Sequence, residues 1–205
     1  MQTEVIKPFM PAHDLREALG LNDKEVLFNL ERLMLRPAYN RCYGFPLVTQ
    51  ETLAALVAIV EGKEVLDAGS GTGFLSEGLT QHAPTAKVVA AEWDGIKGYG
   101  FEAILRRDYH GNALDLLPGD FDIVILSWPN LNHPFGVNIL DAMKKGQTLI
   151  YQGEGQGGCT ANDDFFRQLE TDNWEYLSTP SDNLNKDHVQ FMGIHDDWKV
   201  FKKTN

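Results

Sequence analysis

The chain has 205 residues, 43% of them hydrophobic, enough for one buried core with a terminal appendage rather than two separate domains. Its formal charge of -11, from 18 Lys and Arg against 29 Asp and Glu, opposes non-specific nucleic-acid binding, which rests on cations displacing counterions from phosphates. There is no apolar run long enough to span a membrane, Met1 to Met10 lacks the apolar core of a secretory signal, and Cys42 and Cys159 read as free thiols, so the expectation is a cytoplasmic protein.

Residues 1–60 read as a mostly helical extension and residues 61–205 as the main domain. Asp14 is placed to cap a short helix that stops at Gly20. Asn22 or Asp23 can cap a second, with Val26, Leu27, Leu30, Leu33 and Met34 on one face and Arg36-Pro37 at its end. An aromatic loop from Tyr39 to Pro46 follows, then a helix from about Gln50 with Leu53, Leu56, Val57 and Val60 on one face. Tyr39, Tyr43 and Phe45 suit either a lid over a site or plain core packing.

Lys63 to Ser76 then reads as a strand, a glycine turn and the start of a helix. Gly69, Gly71 and Gly73 at alternate positions allow positive φ and close approach of a ligand to the main chain. A dinucleotide fingerprint needs a last glycine where Phe74 stands, so that pattern fails. What stands there, Asp67-x-Gly69-x-Gly71-x-Gly73, resembles motif I of class I S-adenosylmethionine-dependent methyltransferases.

That resemblance implies an α/β Rossmann-like fold: a seven-stranded, mostly parallel sheet with an antiparallel C-terminal hairpin, helices on both faces and the helical extension in front. It implies S-adenosylmethionine as cofactor, held by Asp67, Gly69, Ser70, Gly71, Thr72, Gly73 and Phe74. Lys87 to Glu92 reads as the second strand, and Glu92, 19 positions after Gly73, sits at the offset at which Rossmann-type units hold a ribose diol. Asp94 competes for that role, and Trp93 is placed to stack on the adenine. Gly95 to Arg107 is poor in apolar residues and rich in glycine, and a short or distorted helix is expected there. In the following loop Asn112, beside Ala113, holds the place of the family's adenine-contacting acid, and its carbonyl can accept from an amine.

Phe121 to Leu126 is a near-continuous apolar run, as for a central parallel strand, and it ends at Ser127-Trp128-Pro129-Asn130, where the family places motif IV. That stretch lacks the Asn or Asp, Pro-Pro, aromatic pattern of adenine-methylating enzymes, and a Ser hydroxyl is a poorer acceptor for an exocyclic amine. Ser127 joins the cofactor-binding set and Trp128 the catalytic set. After a helix over about 136–145 and a strand at Thr148 to Tyr151 comes a glycine-rich loop, Gln152 to Asp164, readable as a site or as a connection. Thr160 or Asn162 caps the next helix. Glu154 in this loop, His133 and His195 are the candidate general bases, with Glu154 first. The tail reads as strands at 174–177, 189–194 and 198–202 with a polar loop over 181–188, and His195-Asp196-Asp197 as the hairpin turn.

The six histidines show no i, i+4 pair and none pairs with a cysteine, so no metal is expected. The reading is a methyltransferase acting on a small molecule or protein side chain rather than nucleic acid. Its rivals are a nucleic-acid methyltransferase, a non-catalytic module of the same fold and an NAD-dependent reductase.

Overall fold

The structure is a computed structural model and describes residues 6–21, 30–93 and 100–205. Asn22, Asp23, Val26 and Leu27 of the second expected helix, and Asp94, Gly95 and Gly98, lie outside the described residues.

Seven strands form one sheet: β1 (Glu64–Ala68), β2 (Lys87–Glu92), β3 (Tyr109–His110), β4 (Ile123–Ser127), β5 (Thr148–Glu154), β6 (Trp174–Tyr176) and β7 (Asp196–Lys203). Their order is β3-β2-β1-β4-β5-β7-β6, with β1 to β5 parallel and both β7 contacts antiparallel. The central strands read as continuous apolar runs because both faces are covered. On one face α5 (Phe135–Ala142) and α6 (Asp163–Leu169) bury Ile139, Leu140 and Phe165 against Leu66, Val124 and Leu149. On the other, α3 (Gln50–Val60), α4 (Phe74–His82) and α7 (Ser178–Asn185) bury Leu56, Leu79 and Leu184 against Val65, Ile125 and Val200. A third cluster joins α1 (Ala12–Ala18) and α2 (Leu30–Tyr43) to Leu47, Val189 and Phe191.

Several elements depart from the sequence reading, each for a local reason. Helix α2 runs through Pro37 to Tyr43. One backbone N–H is lost there, but buried Tyr39, tilted against Tyr43 and Phe191, anchors the turns beyond it. Met34, expected on a buried face, is 55% exposed. Helix α1 starts after Pro11, so Asp14 lies in its first turn rather than at its cap. Residues 100–108 form no helix; this stretch crosses the glycine turn and is tied to it by Leu105 N–H donating to Thr72 O at 2.7 Å.

The polar stretch expected as a loop at 181–188 instead contains most of α7, held by buried Leu184 and by Asn185, whose side chain bonds both Trp198 O (2.7 Å) and Trp198 N–H (2.9 Å). No strand forms over 189–194, and β7 starts at Asp196. The hairpin of β6 and β7 is therefore closed by a helix and a loop rather than by a turn at His195. Strand β5 likewise runs on through Gln152 and Gly153 to Glu154, which shortens the expected loop. Asn162, not Thr160, caps α6, accepting from Phe165 N–H at 3.0 Å. No helix among the described residues is long and apolar enough to cross a membrane, and none of their His, Cys, Asp and Glu side chains cluster into a metal-binding group.

Candidate cofactor and methyl-transfer site

The glycine turn leaves the C-terminal end of β1 with Gly69, Gly71 and Gly73 at φ of 76°, 60° and 78°. Its amides are used within the fold. Gly69 and Ser70 N–H both donate to Ala91 O, Gly73 N–H donates to Ser70 O, and Gly71 N–H donates to Glu92 Oε2 at 2.7 Å. A Cβ on Gly73 would lie 2.0 Å from Arg106 O, so that glycine is required by the chain packed over it. A pyrophosphate needs free N–H groups or cations. This turn offers no such cradle at those four positions.

What faces the turn is aromatic. A narrow cleft, partly open to solvent, is lined by Tyr43, Gly44, Phe45, Pro46, Asp67, Gly69, Ser70, Gly71, Phe74, Leu75, Phe101, Ser127 and Trp128. Phe45 stacks on Trp128 (5.8 Å between centroids, 22°) and meets Phe101 edge-on (6.0 Å, 70°). Arg36 lies over the Trp128 ring at 4.7 Å. Trp128 takes φ of 51°, a left-handed conformation costly for a non-glycine residue, with its N–H donating to Gln152 O at 2.8 Å. No Lys, Arg or His among the described residues lines the cleft.

Asp67 is the one carboxylate in this lining among the described residues. It is buried and accepts from Ser76 Oγ at 2.6 Å. Burial pushes its carboxyl up to about 7; the Ser76 bond opposes the rise, Glu92 adds to it and Arg106 counters it. Ser70 Oγ is buried with no hydrogen-bond partner among the described residues, an orphaned donor and acceptor at the floor of the turn.

Of the residues expected to hold a cofactor, Asp67, Gly69, Ser70, Gly71, Phe74 and Ser127 thus line one cleft, and so does Trp128 from the catalytic set. Thr72 and Gly73 sit behind the turn, Thr72 Oγ1 donating to Tyr43 O at 2.7 Å. Glu92 closes the turn from the side, each carboxylate oxygen accepting one N–H, from Gly71 and from Trp93 at 2.8 Å. Burial raises its pKa and those two bonds lower it. Trp93 is 67% exposed. Asn112 accepts from Leu114 N–H at 3.1 Å, and Ala113 is buried in the core.

Neither Glu154 nor His133 lines the cleft. Glu154 accepts from Cys159 N–H (2.8 Å) and His195 N–H (3.2 Å). Burial opposes its ionisation, but the Cys159 thiol and N–H, the His195 N–H and nearby Arg36 prevail and hold the carboxyl below the usual range. Such a group staples its loop and is a weak base. His133 Nδ1 accepts from Phe135 N–H at 3.1 Å at the start of α5. Of the three lid candidates, Tyr39 is core, while Tyr43 and Phe45 line the cleft. Phe101 and Pro46 were not among the expected site residues, since only the tertiary fold brings them to the cleft.

No protein-family model and no curated protein matches the sequence. Among solved structures the pyocyanin biosynthetic protein PhzM matches with a TM-score of 0.50 and 13% identity, over 75% of this chain and 55% of that one. The chain shares the fold of that structure, a Rossmann-like mostly parallel sheet with an antiparallel C-terminal edge. The mitomycin 7-O-methyltransferase MmcR matches with a TM-score of 0.48 and 12% identity, over 75% of this chain and 53% of that one. Human N-acetylserotonin methyltransferase, solved in complex with S-adenosylmethionine, gives 0.48 and 12%, over 94% of this chain and 58% of that one. The chain spans about half the length of the first of these solved structures. Within this fold, the cleft lies where parallel strands end and helices begin, at the carboxyl edge of β1 and β4.

Proposed function

We propose that the protein is an S-adenosylmethionine-dependent methyltransferase acting on a small molecule or a protein side chain. The observation that carries this reading is the composition of the cleft: among the described residues, aromatic rings and one buried carboxylate around a glycine turn, with no cationic side chain. Aromatic faces and a carboxylate favour a cation such as a sulfonium, whereas a dinucleotide's phosphates would meet neither cations nor the occupied turn amides. Asp67, Gly69, Ser70, Gly71, Phe74 and Ser127 line the binding groove in this reading, with Thr72 and Gly73 shaping the turn. Glu92 keeps unused lone pairs on both oxygens for a ribose diol, and Trp93, Asn112 and Ala113 border the adenine end.

The cofactor supplies an already activated methyl group, so the chain's task is alignment and exclusion of water, worth several kcal/mol of barrier. Trp128, Phe45 and Phe101 wall the point of transfer. Glu154 and His133 stand outside that wall and act on loop structure. Calorimetric titration tests the proposal: S-adenosylhomocysteine binds in the micromolar range or tighter and NAD does not, and labelled methyl passes from S-adenosylmethionine to a non-polymeric acceptor. Tighter binding of NAD than of S-adenosylhomocysteine would refute it.

A further inference from the structure

A buried chain of polar side chains runs from the cleft across the sheet. Ser127 Oγ donates to Gln152 Oε1 at 3.1 Å, Gln152 Nε2 donates to Asp196 Oδ2 at 2.5 Å, and His188 Nε2 lies 3.3 Å from Asp196 Oδ1. Gln152 is 0% exposed, Asp196 3%. The direction of these bonds is set by chemistry. A carboxylate only accepts, so Asp196 must face the amide nitrogen of Gln152, which turns the amide oxygen toward Ser127. That oxygen also only accepts, so the Ser127 hydroxyl must give its single hydrogen to Gln152. Toward the cleft, Ser127 presents lone pairs alone.

The polarity matters for methyl transfer. A serine free to rotate can donate to an incoming nucleophile and engage the lone pair that must attack. One locked as acceptor takes an N–H hydrogen and leaves that lone pair free. The amide is also a poor proton carrier, so the chain orients Ser127 and does not drain protons from it. No His, Glu or Lys among the described residues lines the cleft, and its single carboxylate, Asp67, is bonded to Ser76. A neutral hydroxyl acceptor needs a base there; a neutral amine does not.

Resting on the methyltransferase reading above, we propose that Ser127, fixed as a hydrogen-bond acceptor by Gln152 and Asp196, receives an N–H of the methyl acceptor, which is an amine. The amine nitrogen bonds to the methyl carbon as the carbon–sulfur bond breaks and its electron pair passes to sulfur, giving a thioether and an alkylated ammonium that loses a proton to water. Ser127 touches the nucleophile; Gln152 and Asp196 are positioning residues. The sequence-level objection that a Ser hydroxyl accepts poorly is removed by this lock, while the charge argument against nucleic acid stands.

Sinefungin tests this without a known acceptor, because it carries a primary amine on carbon in place of the methyl-bearing sulfur. Its affinity is measured by calorimetry against that of S-adenosylhomocysteine, which has no such amine. The wild-type chain favours sinefungin. Ser127→Ala lowers the sinefungin preference, taken as the ratio of its affinity to that of S-adenosylhomocysteine for the same variant, roughly 10-fold or more, as expected for loss of a hydrogen bond to a charged donor. Ser127→Thr restores the preference. Asp196→Asn, which frees the Gln152 amide to turn, lowers it at unchanged S-adenosylhomocysteine affinity; where that variant fails to fold, the Ser127 pair decides. An unchanged preference in Ser127→Ala overturns the proposal while the cofactor reading stands. Absence of S-adenosylhomocysteine binding to the wild-type chain overturns both.

Discussion

Asp67 stands where the site and the stability of the fold meet. Its folded pKa of about 7 lies above the unfolded value of about 3.9, so the folded state holds more protons between these limits. Stability from this group is therefore fully present below pH 4 and is lost as the pH rises through 7. Asp67→Asn removes that dependence: relative to wild type the variant gains stability between pH 5 and pH 8, by an amount on the order of 4 kcal/mol at most. Urea unfolding at the two pH values measures it. A bound sulfonium favours the ionised carboxylate, so cofactor binding near pH 7 releases a proton, detectable as a dependence of calorimetric heat on buffer ionisation enthalpy. Glu92 gives a second test at this scale. Its oxygens hold Gly71 and Trp93 N–H and, in the proposed complex, the ribose. Glu92→Ala weakens S-adenosylhomocysteine binding about 5- to 150-fold and lowers the ligand-free melting temperature as well. Glu154→Gln separates staple from base: turnover persists, whereas a base role predicts its loss.

At the scale of elements, the strand, turn and helix from Glu64 to His82 were legible because apolar period, glycine spacing and the Glu92 offset all agree within one short stretch. The reason for each glycine was not legible. Gly73 looks like part of a ligand cradle, but it is pressed by Arg106 O, a partner 33 positions away. Gly73→Ala combines a 2.0 Å clash with an unfavourable φ of 78°, and it destabilises the ligand-free chain by about 2 kcal/mol or more. Gly69→Ala, whose Cβ would meet the Phe135 ring at 3.4 Å, strains the turn without such a backbone clash. Helix α7 was missed because its sequence, Ser178 to Asn185, shows a single large apolar residue, and the bonds that hold it come from Trp198 on another strand. Leu184→Ala leaves a cavity against α3 and lowers stability by about 2 to 5 kcal/mol, read by denaturant midpoint. The Gln152 and Asp196 pair, 44 positions apart, has no sequence signature for the same reason.

For the whole molecule the decisive quantity is charge and where the cations go. The net of -11 repels a polyanion, and each of the three basic pairs in the sequence has a member engaged in the fold. Arg106, 17% exposed, donates to Val88 O at 2.8 Å and pairs with Asp108 at 2.9 Å. Lys144 Nζ donates to Pro118 O at 2.8 Å, and Lys203 Nζ donates to Leu140 O at 2.6 Å over the Trp174 ring. Cations held by carbonyls and carboxylates in this way release few counterions from a phosphate backbone. The chain alone is therefore expected to show no binding to duplex DNA or to RNA at about 0.15 M salt, and labelled methyl from S-adenosylmethionine is expected outside the polymer fraction. Gel-shift titration at two salt concentrations, with scintillation counting of the precipitated polymer, checks both. Salt-sensitive binding together with label in the polymer would place the acceptor on nucleic acid and would mean that residues other than these three cations carry the contact.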